Sequence, residues 1–123
     1  MDKKLTFMEW SLNMRSDKNV QPHEAFYRAI KECSPQPDVL FLVETVKGND
    51  FAVDGYTFVV ESENPVENTT RIAIRNALLE SGEMQILDTC GKIAGTSFEE
   101  APHYAQADVL VNGHVLNLIA TRV

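Results

Sequence analysis

Glu44 and Asn13 each stand at the close of an apolar run, and an amide and a carboxylate brought together could hold a polar ligand or a cation. Glu44 follows Val39-Leu40-Phe41-Leu42-Val43. Asn13 follows the run Leu5 to Leu12, which contains Ser11 and Trp10 and no helix or strand breaker. Taken alone, a strand-end carboxylate reads as a solvated charge with a metal ligand as the functional alternative, and Asn13 and Ser11 read as cap or turn residues. Arg71, Arg75 and Arg122 could face a phosphate, although arginine on a strand reads first as a surface residue. His23, His103 and His114 share no ligand spacing, and Cys33 and Cys90 form no Cys-x-x-Cys pattern, so a zinc or redox centre is not indicated. His103, beside Tyr104 in a loop-like stretch, is the histidine of most interest.

The elements around these residues determine whether they meet. Leu5 to Leu12 reads as a strand and Asn13 to Val20 as a polar loop. Pro22 suits the first turn of a helix, and Ala25, Phe26, Ala29, Ile30 and Cys33 make one apolar helical face. Ser34-Pro35-Gln36-Pro37 stops that helix. The uninterrupted apolar stretch up to Val43 fits a strand covered on both faces, ended by Glu44. A strand–helix–strand unit makes its two strands parallel. Their carboxyl ends then share one sheet edge, where ligand sites of open α/β sheets gather. This brings Asn13 and Glu44 to the same edge.

Further strands are expected at Tyr56–Val60, Arg71–Arg75 and Met84–Leu87, with Lys47–Asp50 a turn. Ala77–Glu80 fits either a strand extension or a helical turn. Gly91–Gln106 reads as a long surface loop. Asn112-Gly113 between two apolar runs predicts a hairpin, because both residues tolerate positive φ. The pattern is α+β: a mixed β-sheet with one amphipathic helix packed on it.

The chain has 123 residues and 44% hydrophobic content, which bounds it to one domain spanning 1–123. It contains no membrane-spanning apolar run and no apolar leader after Met1, so the expected location is the cytoplasm and no membrane partner is expected. Both cysteines read as free thiols. A net charge of −7 and a pI near 4.8 disfavour non-specific coating of nucleic acid and suit a basic protein partner.

Thr6-Phe7-Met8-Glu9-Trp10-Ser11-Leu12-Asn13, followed by Pro37-Asp38-Val39-Leu40-Phe41-Leu42-Val43-Glu44, resembles the opening of the endonuclease/exonuclease/phosphatase superfamily. Gly55 to Val60, Arg71 to Arg75 and Leu116 to Val123 are similar to later strands of its N-terminal half. The resemblance implies that Glu44 is a ligand of magnesium. It also implies that an asparagine helps to hold the scissile phosphate. Ser11 occupies that family position and Asn13 lies two residues on, about 7 Å further along a strand, so both are candidate catalytic residues. Arg122 stands near the family's histidine and is a candidate phosphate-binding residue.

The family's Gly-Asp-Phe-Asn and Ser-Asp-His segments have no counterpart here. The expectation is therefore an N-terminal portion of a metal-dependent phosphodiesterase or nuclease-like hydrolase, inactive as it stands. Its parent would act on a phosphorylated substrate or nucleic acid. Such a portion would be half of a two-sheet sandwich, with an uncovered apolar sheet face and a tendency to form a homo-oligomer. The alternative is a complete, small, acidic binding or inhibitor module acting on a basic protein partner.

Overall fold

The computed structural model describes residues 4–14, 21–46, 51–63, 68–92 and 103–121. Within these, strand β1 is Phe7–Ser11, helix α1 is Glu24–Glu32, and β2 is Val39–Val46. There follow β3 at Tyr56–Glu61, β4 at Asn68–Arg75, helix α2 at Asn76–Ser81, and β5 at Met84–Cys90. The last two are β6, Tyr104–Val111, and β7, His114–Thr121. The fold is α+β. Its strands divide into a mixed four-stranded sheet, ordered β1-β2-β4-β3, and an antiparallel three-stranded sheet, ordered β5-β6-β7.

Helix α1 begins where Pro22 and His23 lead into it. The His23 Nδ1 accepts a hydrogen bond from the Ala25 N–H at 3.0 Å, filling one of the donors a helix start leaves unpaired. Glu24 in the first turn and Lys31 in the last complement the helix dipole. Phe26 and Ile30 are buried against Leu40, Leu42 and Ala73 on one face of the four-stranded sheet. Each such side chain contributes about 1.5–3 kcal/mol by leaving water. Trp10 packs edge-on against Phe26, ring centroids 5.6 Å apart, as a core residue of the same layer.

The opposite face of that sheet carries Val39, Ile72 and Ile74. These meet Val109, Leu118 and the small residues Ala105, Ala107 and Ala120 of the second sheet. Strand β2 therefore lies between two cores, which is why its sequence is apolar at consecutive rather than alternate positions. Strand β6 is covered on one face only, and its burial alternates residue by residue. Asn112 and Gly113 turn β6 into β7 with φ of 53° and 76°, the backbone the hairpin requires.

The structure revises several expectations. The strands after β4 build a second sheet rather than extending the first. The apolar face expected to be uncovered is thus covered from within the chain. The outer face of the second sheet mixes exposed Val115 and Ile119 with Asp108 and Asn117. Ala77–Glu80 belongs to helix α2, which ends at Gly82 in the left-handed conformation with φ 79°. Part of the expected loop is strand, since β6 begins at Tyr104. Strand β2 does not end at Glu44 but runs on to Val46. The expected turn at 47–50 and most of the loop at 13–20 lie outside the described residues.

Candidate functional site

The parallel pair is anchored at its amino end by Asp38, which is buried. Its carboxylate accepts from the Thr6 N–H at 3.0 Å, and from Nε and Nη2 of Arg75 at 3.2 and 2.9 Å. One side chain thereby joins the starts of β1 and β2 to the end of β4. Tyr56 donates its hydroxyl to the Pro37 carbonyl beside this cluster. Burial, opposed by Arg75 and assisted by Asp38 and Cys33, pushes the Tyr56 phenol up to about 12.

From this anchor β1 and β2 run in register, Phe7 against Val39 through Ser11 against Val43. Past Ser11 the pairing persists for two further bonds. The Leu12 N–H donates to the Val43 carbonyl at 3.0 Å, and the Met14 N–H donates to the Glu44 carbonyl at 2.9 Å. Asn13 lies between these two bonds. The two candidate residues do share one sheet edge, as the strand–helix–strand pattern predicts. Asn13 has φ 49° and Glu44 has φ 59°. Two non-glycine residues in the left-handed region, one just past the end of β1 and the other within β2, constitute backbone strain of the kind that clusters at ligand sites.

The conformation of Glu44 has a visible origin. Leu42 pairs with Arg71 and Thr45 with Thr69, so Val43 and Glu44 together oppose the single residue Thr70. This is a β-bulge, which bends a strand and re-aims a side chain. The bulge is held from below by a buried polar chain. Thr45 and Thr69 join their hydroxyls at 2.7 Å, and the Thr69 hydroxyl donates to Glu61 Oε2 at 2.8 Å. Arg71 donates to the same Glu61 oxygen and to the Val46 carbonyl at 2.8 Å, and lies over the rings of Phe51 and Phe58. Asn68 Nδ2 donates to the Met14 carbonyl at 2.8 Å, closing the end of β1 onto β4.

The remaining sequence candidates fall differently. Ser11 is exposed, on the same face of β1 as Phe7 and Glu9. Arg122 lies outside the described residues. Arg71 and Arg75 are not surface arginines: each is held in an ion pair, with Glu61 and Asp38 respectively. His103 immediately precedes β6, whose first residue pairs with Thr121. At this end of the sandwich the Glu63 N–H donates to the Gly91 carbonyl at 2.8 Å. Any Cβ at Gly91 would lie 2.6 Å from the Glu61 carbonyl oxygen, so a glycine is needed for the two sheets to approach there.

A groove of about 250 Å³ runs between the sheets to this end, lined by residues that include Glu9, Phe41, Val43, Ile119 and Thr121. A separate cleft of about 460 Å³, with Tyr27, Ile30, Lys31 and Asp54 among its lining, lies beside α1 and includes neither Asn13 nor Glu44. At the strand-end site Asn13 and Glu44 are adjacent through the backbone, both with positive φ. Its donors are all oxygen or amide groups. Magnesium fits such a set, because it retains several waters and takes one or two carboxylates together with substrate phosphate oxygens. Among the described residues no group of three His, Cys, Asp or Glu side chains could enclose an ion.

Comparison of the chain with protein-family models, with curated proteins and with solved structures finds no match in any of the three.

Proposed function

We propose that this chain is the N-terminal portion of a metal-dependent phosphodiesterase or nuclease-like domain, with Glu44 as a magnesium ligand and Asn13 as a phosphate contact. The observation that carries the reading is the pair of left-handed backbones at Asn13 and Glu44, set side by side where the parallel pairing of β1 with β2 ends. Strain of this kind persists only when the surroundings enforce it, and the buried chain from Thr45 to Arg71 is what enforces it at Glu44. The resemblance of Thr6–Asn13 and Pro37–Glu44 to the endonuclease/exonuclease/phosphatase opening assigns the metal position to Glu44 independently of that geometry, and puts Ser11 at the asparagine position with Asn13 two residues on. When bound, the cation would act as a Lewis acid and charge clamp on a phosphoryl oxygen.

The chain's own contribution in this reading is binding and orientation. The Glu44 carboxylate holds the ion, and the Asn13 amide donates to a phosphoryl oxygen. Ser11, the exposed last residue of β1, is a secondary polar contact at the same edge. Hydrolysis also requires a base to take a proton from water and a donor for the leaving oxygen. The described strand-end residues supply neither, and the expected outcome is binding without turnover.

Titration of the purified chain with Mn²⁺, followed by calorimetry, tests the reading. Binding that is lost in Glu44→Gln is expected, with no magnesium-dependent hydrolysis of a simple phosphodiester. Absence of Mn²⁺ binding by the wild-type chain would remove the metal assignment. A hydrolytic rate abolished by Glu44→Gln would overturn the inactivity.

A second reading, an acidic module docking on a basic protein, is favoured by one observation. Asp88 pairs directly with Asp108 across β5 and β6, and like charges placed opposite one another repel. On a chain of net charge −7 a basic partner would relieve that repulsion. Salt-sensitive binding to a basic protein without a metal requirement is its test.

A further inference from the structure

Strand β7 is the least protected of the four sheet edges. Those edges are β1 and β3 in one sheet and β5 and β7 in the other. Edge strands are blunted by charge, proline, short length or a bulge, because their free N–H and C=O groups otherwise pair with any strand that meets them. Strand β1 is five residues long and carries Glu9. Strands β3 and β5 each have a register shift and an acidic residue, Glu61 and Asp88 respectively. Strand β7 has eight residues without a charge, proline or glycine. It pairs with β6 in unbroken register and exposes Val115 and Ile119.

The two sheets are also offset. Strand β3 lies over β5 and β6, β4 over β6 and β7, and β2 over β7, which leaves β1 beyond the last strand of the second sheet. The overhang roofs a groove of about 520 Å³ beside β7, with Phe7, Glu9 and Phe41 on one wall and Ile119 on the other. Phe7 is 52% exposed there, although its ring lies against Phe41 with centroids 6.0 Å apart. Glu9 is exposed and has no ion-pair partner among the described residues. A strand added to β7 would fill the position under β1. On one face of any strand, side chains recur every two residues, about 6.6–6.8 Å apart. An apolar side chain against Phe7 and Phe41 therefore sets the residue two positions away against Glu9, where lysine or arginine completes an ion pair. A second copy does not fit this position. Antiparallel pairing of two β7 strands about a two-fold axis would bring the second copy's β2 to where β1 already stands. The overhang admits one strand and not another sandwich.

We infer that the β7 edge binds an extended segment of a basic protein as an added strand, with an apolar residue against Phe7 and Phe41 and a cationic residue two positions away on Glu9. The inference rests on the second reading above, an acidic module docking on a basic partner, and names the surface and the backbone form that such a partner presents. Main-chain bonds to β7 supply affinity in this mode, and the alternate side chains supply specificity.

The test is calorimetry with the peptide acetyl-Thr-Val-Thr-Lys-Thr-Val-Thr-amide, one face of which reads valine, lysine, valine. Saturable binding is expected. Glu9→Lys should weaken it about tenfold, the scale of turning an exposed attraction into a repulsion. Ile119→Lys, which puts a charge on the open edge, should abolish it. The peptide with glutamate in place of lysine should reverse the preference and bind Glu9→Lys more tightly than the wild type. If the wild-type chain binds polylysine at low salt but not the peptide, the groove is overturned and the acidic-module reading stands. Peptide binding unchanged in both variants has the same meaning. If neither polylysine nor the peptide binds, both are overturned. A dimer in sedimentation equilibrium that Ile119→Lys converts to a monomer would make the occupant a second copy and overturn the inference.

Discussion

Replacing Glu44 by glycine and by alanine measures the strain at the candidate site directly. Both substitutions remove the whole side chain beyond Cβ, so whatever contacts the carboxylate makes are lost equally and cancel in the comparison. What remains is the backbone, held at φ 59°. An L-residue in the left-handed region costs about 1–2 kcal/mol. Glycine in a strand costs about 0.5–1 kcal/mol relative to alanine through its greater freedom when unfolded. The difference leaves Glu44→Gly more stable than Glu44→Ala by about 0.5–1 kcal/mol, the reverse of the usual order. Thr57, an exposed β3 residue outside the positive-φ set, is the control, and there alanine should be the more stable. Urea unfolding resolves the effect. With a slope of about 2 kcal/mol per molar, the two Glu44 variants should differ in midpoint by about 0.25–0.5 M. Alanine equal to or better than glycine at position 44 would refute the argument, and with it the claim that the bulge stores strain beneath the carboxylate.

The other predictions concern the opposite end of the parallel pair. Asp38→Ala leaves the Arg75 guanidinium without its carboxylate and the Thr6 N–H without its acceptor. It should lower the unfolding free energy by about 3 kcal/mol, the scale for breaking one side of a buried pair. A loss below about 1 kcal/mol would instead mark a pair behaving as though solvent-exposed. Tyr56 predicts an alkaline limb. Its folded value of about 12 lies above the ordinary 10.0, so the folded state holds the proton more tightly than the unfolded state. The stabilisation is complete below pH 10 and is lost as pH rises through about 12. Unfolding curves at pH 9 and pH 11 should diverge for the wild type, and Tyr56→Phe should remove that part of the divergence.

The adjacency of Asn13 and Glu44 was legible in the sequence because it depends on topology alone. Two apolar runs joined by one amphipathic helix must be parallel, and parallel strands end at the same edge. Helix α1 and the β6–β7 hairpin were legible for similar reasons, from the face Phe26 and Ile30 make and from the dipeptide Asn112-Gly113. One reading left open and one misreading had signals that could have resolved them. Gly82 following Ala77–Ser81 has the form of a helix C-terminus. The alternation of Ala105, Ala107, Val109 and Val111 extends the strand back to Tyr104.

The rest required tertiary structure. Alternation along a strand states which residues are buried and not which strand covers them, so the division into two sheets had no local signature. The burial of Arg71 and the ion pairing of Arg75 depend on Glu61 and Asp38, distant partners whose identity only packing supplies. The bulge at Val43–Glu44 is a property of two paired strands, since it exists only as a mismatch between β2 and β4. The sequence alone determined that a carboxylate and an amide share an edge. Pairing across the sheet determined that this carboxylate is strained, because register is fixed between chain segments and not within one.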